Sequence, residues 1–223
     1  MKGKLIVIEG TDGSGKGTQT KRLFDKLSAE GYNVEMIDFP RYREPGAVMV
    51  EEYLNGHLGT LDEIGPYPAS VLYAVDRYYH SRKMHKWLSE GKVILCNRYM
   101  TANKGHQAGK IKDLSERDEY LAWLDDLEFE KFKIPRPDKV FLLFMPCEIA
   151  QRLVGQKDMR EYLGGKKMDI HESSLQHLKD AEAAYLYVAK KEGWSIIECG
   201  DGDKPLPIET IFSMIYEQVK KML

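Results

Sequence analysis

Lys16 closes a run in which small residues and one cation stand where phosphate chemistry needs them: Gly10-Thr11-Asp12-Gly13-Ser14-Gly15-Lys16-Gly17-Thr18. Glycines at these spacings let the backbone turn tightly enough to aim successive N–H groups at one anion, and Lys16 adds positive charge there. A helix starting at Lys16 brings its positive dipole end to the same point. The apolar run Leu5 to Ile8 before the loop is what a buried strand looks like. Strand, loop, lysine and helix together mark a nucleoside triphosphate site, so Gly10 to Thr18 is the candidate ATP-binding run. A hydroxyl usually follows the lysine as a magnesium ligand; here Gly17 holds that place and Thr18 supplies the first hydroxyl. Asp12 sits awkwardly in an anion cradle unless it has a separate task. It could accept a sugar hydroxyl, pair with an arginine or hold a magnesium-bound water.

A second constellation follows later strand-like runs. Asp38-Phe39-Pro40-Arg41-Tyr42-Arg43 comes after one, and Asn97-Arg98-Tyr99 with Asn103, His106 and Gln107 after another. Between them, Tyr73 and Arg77 stand one helical turn apart and so share a face. An aromatic ring beside a guanidinium suits a nucleobase, which stacks on one and hydrogen-bonds to the other. Arg98 and Arg41 could then hold a second phosphate by charge-assisted bonds.

The elements that must position these residues are legible too. Leu5–Glu9, Val34–Phe39, Val93–Asn97, Lys139–Met145 and Ser195–Cys199 read as strands separated by helical patterns. The expected fold is therefore α/β: a three-layer, doubly wound, five-stranded parallel sheet forming one domain over residues 1–223. The first helix spans Lys16 to about Glu30, with Leu23 and Leu27 inward and Gly31 as its stop. A second runs from about Ala69 to before Gly91, with Leu72, Val75, Trp87 and Leu88 as apolar contacts. A third covers roughly Glu116 to Phe132. The last starts at Ile208 and turns Ile208, Ile211, Ile215, Val219 and Met222 to the core. Residues 155–168 hold Lys157, Arg160, Lys166, Lys167 and the pair Gly164-Gly165, which reads as a short basic lid over the triphosphate. Ligands in such a sheet bind at the carboxyl ends of the strands, where the chemistry-bearing residues fall.

Composition narrows the class. Charged residues make up 30 % of the 223, but the net charge is −2, so no basic field favours nucleic acid. No apolar run is long enough for a membrane, and no leader pattern appears, so a soluble cytoplasmic protein is expected. Cys96, Cys147 and Cys199 lack metal-ligand or disulfide spacing and read as small buried residues.

In these blocks the chain resembles the thymidylate kinases among the nucleoside monophosphate kinases. The likeness rests on Glu9 to Lys16, Phe39-Pro40-Arg41-Tyr42, Tyr73-Ala74-Val75-Asp76-Arg77 and Asn97-Arg98-Tyr99 with Asn103 and His106-Gln107. Pro137-Asp138 and Asp169-Ile170-His171-Glu172 complete it. It implies a P-loop kinase fold and γ-phosphoryl transfer from ATP to dTMP with Mg²⁺, giving dTDP, in a homodimer. By the same likeness Tyr73 stacks on the base, Arg77 bonds to it, and Arg98 holds the acceptor phosphate near Arg41 or Tyr42. Phe39, Asn103, His106 and Gln107 complete the acceptor pocket, with His106 near the sugar. Asp12 faces the sugar 3′-hydroxyl and the arginines, Thr18 reaches the metal, and Lys16 serves ATP. Among the lid cations, Arg160 is assigned to the transferring group and Arg152 to ATP. Three departures stand out: Asn97 replaces the usual aspartate, Ile170 replaces an arginine, and Gly17 follows the lysine. The alternatives are a kinase for another nucleoside monophosphate and, given Asn97, a nucleotide-binding homologue impaired in catalysis.

Overall fold

The computed structural model describes residues 3–154 and 175–223. At its centre lies a parallel sheet of five strands: β1 (Lys4–Glu9), β2 (Val34–Asp38), β3 (Val93–Asn97), β4 (Lys139–Phe144) and β5 (Ser195–Glu198). Their order is β2-β3-β1-β4-β5, so β1 is central and the chain winds outward to both sides. Side chains alternate across a strand, and the alternation separates two cores. Leu5, Val7, Ile94, Cys96 and Val140 face one side; Ile6, Ile8, Leu95, Phe141 and Leu143 face the other. The first side is covered by α4 (Pro66–Ser89), α6 (Leu114–Asp125) and α8 (Leu175–Glu192) through Met84, Tyr120, Leu124, Ala184 and Val188. The second is covered by α1 (Lys16–Ala29), α7 (Cys147–Val154) and α9 (Ile208–Lys220) through Leu23, Leu27, Ile149, Ile211, Ile215 and Val219. The expected three-layer α/β sheet is what the chain builds.

The strands match their expected positions, three of them stopping one residue sooner. Phe39 and Cys199 lie just past the ends of β2 and β5, yet Phe39 N still donates to Asn97 O at 3.1 Å and Cys199 N to Phe144 O at 2.8 Å. All three cysteines are buried and unbridged. Short helices α2 (Val48–Leu54), α3 (Leu61–Ile64) and α5 (Thr101–His106), and a hairpin of β6 (Gly200–Asp201) and β7 (Lys204–Pro205), complete the frame.

Three helix expectations are corrected. α4 begins at Pro66, whose fixed φ suits a first helical turn, and Val75 on it is 45 % exposed instead of facing the core. The buried line of α4 is Ala69, Ser70, Ala74, Asp76, Arg77, His80, Ser81 and Met84, because its polar residues find partners inside the protein: Ser70 at Tyr120, Asp76 at Arg41 N and Arg77 at Glu128. The third predicted helix is α6 followed by a π-helical turn over Asp126–Lys131. On α9, Ile211, Ile215 and Val219 are buried, whereas Ile208 at the first turn is 52 % exposed. Residues 155–168, proposed as a lid, and Asp169 to Glu172 lie outside the described residues, as does Arg160. No helix among the described residues is long and apolar enough to cross a membrane.

Candidate active site

The loop after β1 turns through Gly10 and Gly13 into α1. At Gly13, φ is +88° and a Cβ would lie 2.3 Å from the Ala150 carbonyl oxygen of α7, so no larger residue fits. Gly15 precedes α1 without a side-chain cap, which leaves the first N–H groups of the helix pointing into the pocket mouth. Lys16 is buried and its Nζ donates to Thr11 O at 2.8 Å, so the ammonium is folded back over the loop. Such a loop offers backbone donors and one fixed cation to a chain of phosphates.

Because β3 neighbours β1, the chain leaving β3 arrives beside this loop. Arg98 takes φ +63°, a left-handed conformation that an arginine adopts only under constraint. The constraint is visible. Arg98 N donates to Ile8 O at 3.1 Å, and Tyr99 N donates to Glu9 Oε1 at 2.9 Å. Glu9 is fully buried and also accepts from Thr101 Oγ1 at 2.6 Å and from Tyr185 Oη at 3.1 Å. This turn points the Arg98 guanidinium at Asp12, 2.5 Å away, and at His106 Nε2, 3.1 Å away. Burial opposes ionisation of Asp12, but Arg98 and then Lys16 outweigh it and hold the carboxyl well below its usual range. Burial first, and then Arg98, push His106 well below the usual imidazole value, so it is neutral and its Nε2 accepts. His177 of α8 stacks on His106 with centroids 5.7 Å apart.

On the opposite wall, Tyr73 and Arg77 of α4 border the same pocket, whose volume is about 630 Å³. The Tyr53 ring meets Tyr73 edge-on at 6.1 Å. Arg77 is 1 % exposed and paired with Glu128 of the π-helical turn: Nε lies 3.0 and 2.9 Å from the two oxygens, and Nη2 donates to Oε1.

The pocket therefore gathers Asp12, Gly13, Ser14, Gly15, Lys16, Gly17 and Thr18 from the loop. It also gathers Phe39, Tyr42, Tyr73, Arg77, Arg98, Asn103, His106 and Gln107. Gly10 and Thr11 stand behind it as framework. Two expected contacts are not brought to it. Arg41 turns aside to Glu44, with Nη2 at 2.6 Å and Nε at 3.0 Å, and Asp38 lies 3.7 Å from its Nη1. Arg152 on α7 is exposed and donates to Asp203 O in the turn between β6 and β7. Sequence reasoning missed Glu9, Glu128 and Tyr185, and also Met145, Leu153, Pro205, Leu206 and Ile211, which form an apolar end to the pocket. Glu128 had a signal: it stands four residues after buried Leu124, so it continues a core-facing stripe where a carboxylate needs a partner.

Comparison with known proteins gives the chain a family. The thymidylate kinase family model matches residues 8–202. A thymidylate kinase of Mycobacterium tuberculosis is 28 % identical over 191 residues, covering 85 % of this chain and 87 % of that protein. A probable thymidylate kinase of Pyrococcus horikoshii is 34 % identical over 155 residues, covering 69 % and 71 %. A thymidylate kinase structure from Candida albicans superposes with a TM-score of 0.72 at 23 % identity, spanning 99 % of this chain and 92 % of that one, which speaks for the fold alone. With the family's pattern running from the end of β1 through the phosphate loop and β3 as far as β6, this chain belongs to the thymidylate kinase family.

Proposed function

We propose that this protein transfers the γ-phosphoryl group of ATP to dTMP, giving ADP and dTDP. The observation that carries the reading is one continuous pocket with the phosphate loop at one side and the Tyr73–Arg77 wall at another. Two nucleotides bound there would meet phosphate to phosphate beside Arg98. Lys16 and the first amides of α1 hold the donor's phosphates, and the apolar end formed by Leu153, Leu206 and Ile211 suits the donor's base. Arg98 holds the acceptor phosphate and keeps it in line, while Asp12 fixes the guanidinium. The attacking group is already an anionic phosphate oxygen, so catalysis is alignment and charge stabilisation, with no strong base required. His106, neutral and bonded to Arg98, orients that guanidinium.

The residues also fit Mg²⁺. Asn97 and Thr18 both line the pocket, and Asn97 Oδ1 is buried without a hydrogen-bond partner among the described residues. Hard oxygen donors of this kind suit an ion held mainly by phosphates and water. Asn97 and Thr18 would hold the ion on the protein side, and it would supply positive charge against the charge that develops on transfer. Arg160 is assigned to the same developing charge, and Arg152 to ATP once released from Asp203. We read the chain as one catalytic domain that pairs with a second copy through α4, whose Val71, Val75, Tyr78 and Tyr79 present exposed apolar surface.

The test is a panel of dTMP, dUMP, UMP, dCMP, dGMP and AMP, each with ATP and Mg²⁺, analysed by mass spectrometry. dTDP should be the dominant product; conversion of another acceptor in preference to dTMP would refute the assignment.

A further inference from the structure

Arg77 and Glu128 form a buried ion pair at the wall read above as the base site. The side chains are 1 % and 0 % exposed. Glu128 comes from the π-helical turn after α6, and Arg77 from the middle of α4, 51 residues earlier. Among the described residues the guanidinium's hydrogen bonds run from Nε and Nη2, and both atoms donate to Glu128. Arg77 nevertheless lines the pocket. Its Nε edge is spent on protein, so what it can offer a ligand is the far end of the fork, which donates and never accepts.

The pair also changes the electrostatics of the wall. An unpaired arginine in a dry pocket is a strong phosphate binder, since its planar fork matches phosphate oxygens. The same pocket already has a phosphate position at Arg98, and a nucleotide entering in reverse would find a rival anion site at Arg77. With Glu128 against it the guanidinium keeps its donors but loses its net charge.

We infer that Glu128 is a positioning and specificity-determining residue: it converts Arg77 from an anion site into an oriented, charge-neutralised donor for a carbonyl of the acceptor's base. A carbonyl-bearing pyrimidine satisfies that donor, an amino group in its place does not, and a phosphate gains no net charge attraction. The inference rests on the assignment of this wall to the base.

The test is Glu128→Gln, which keeps volume but removes the charge and turns an N–H toward Arg77. KM for dTMP should rise about tenfold or more, as loss of one oriented charged donor implies, while KM for ATP stays within about twofold. Inorganic phosphate should become an inhibitor about tenfold stronger, competitive with dTMP. Glu128→Asp, which retains the charge, should leave phosphate inhibition as in the native protein. A folded Glu128→Gln protein with native dTMP KM and native phosphate inhibition overturns the inference. So does an equal rise in KM for both nucleotides, which marks a merely structural role. Should Glu128→Gln not fold, the double variant Arg77→Met, Glu128→Met replaces the pair with apolar volume, which buried ion pairs often tolerate. It should raise KM for dTMP with no gain in phosphate inhibition, and an unchanged KM for dTMP again overturns the inference. Native protein that makes no dTDP refutes the acceptor assignment instead. The phosphate comparison, run with whichever monophosphate is turned over, then still tests Glu128.

Discussion

Two arginine–carboxylate pairs border one pocket, and they differ in nearly everything except chemistry. Arg98 and Asp12 come from a strand-end turn and a glycine loop, are 18 % and 16 % exposed, and sit 2.5 Å apart in reach of water. Arg77 and Glu128 come from a long helix and a π-helical turn and are almost fully enclosed. A half-open pair can admit an incoming phosphate beside Asp12, because the guanidinium keeps an accessible edge while Asp12 holds the other. An enclosed pair cannot, since separating it would leave a charge in a dry wall. The same two functional groups thus give a movable contact at the phosphate side and a fixed one at the base side.

The sharpest way to break that contrast is to remove each arginine's role in turn. Arg98→Ala should lower kcat/KM for dTMP about 10³-fold, the scale of losing a preorganised donor to a transferring group. Its melting temperature should hardly move; a loss below tenfold would show that Arg98 is not the movable contact. Glu128→Ala should instead cost about 3–5 kcal/mol of stability in urea unfolding, because Arg77 is left charged and buried. A cost below about 1 kcal/mol would mean that Arg77 finds water there, and the contrast in burial would fail.

Acid sharpens the contrast from the phosphate side. Burial, and then Lys110, lower the pKa of His177 to about 4, against an ordinary value of 6.5. Below pH 6.5 the unfolded chain therefore binds a proton that the folded chain does not, and stability falls until pH reaches about 4. Between pH 7 and 5 His177 alone should account for a loss of about 2 kcal/mol, and His177→Gln should remove that share while the share of His106 remains. An unchanged slope in that variant would show that His177 is not buried neutral. The smallest effect belongs to Gly17, around which a Cβ meets nothing within 4 Å. Gly17→Ser should alter stability by no more than about 0.5 kcal/mol, measured by thermal melting. Gly13→Ala is the opposite case, since its Cβ meets the Ala150 carbonyl.

What could be read from sequence follows from what each residue faces. The buried strands are apolar on both faces, so Leu5 to Ile8 and Lys139 to Met145 stood out, and the phosphate loop carries its own spacing rule. α4 was misread at Val75 because hydrophobicity is a guide to burial only where the core is apolar. This helix buries Asp76, Arg77 and His80 and leaves Val71, Val75, Tyr78 and Tyr79 outside. Arg41 was misplaced for a different reason: a strand-end arginine satisfies the nearest carboxylate, and Glu44 stands three residues away. Glu128 keeps the helical spacing from buried Leu124, but a carboxylate reads as a surface residue until its buried partner Arg77 is placed beside it by the fold.

The adjacency of β1 and β3 also has a consequence for how the molecule folds. Asp12 and Arg98 are 86 residues apart in the chain, and β2 and four helices of the first half lie between them. That loop must close before the pair can form, so the phosphate side exists only in chains whose central sheet is registered. A nucleotide that bridges the loop and Arg98 binds those chains and no others. Occupancy of the pocket then adds RT ln(1 + [L]/Kd) to the stability of the whole sheet. Substrate supply becomes, in this protein, a term in its own survival against unfolding.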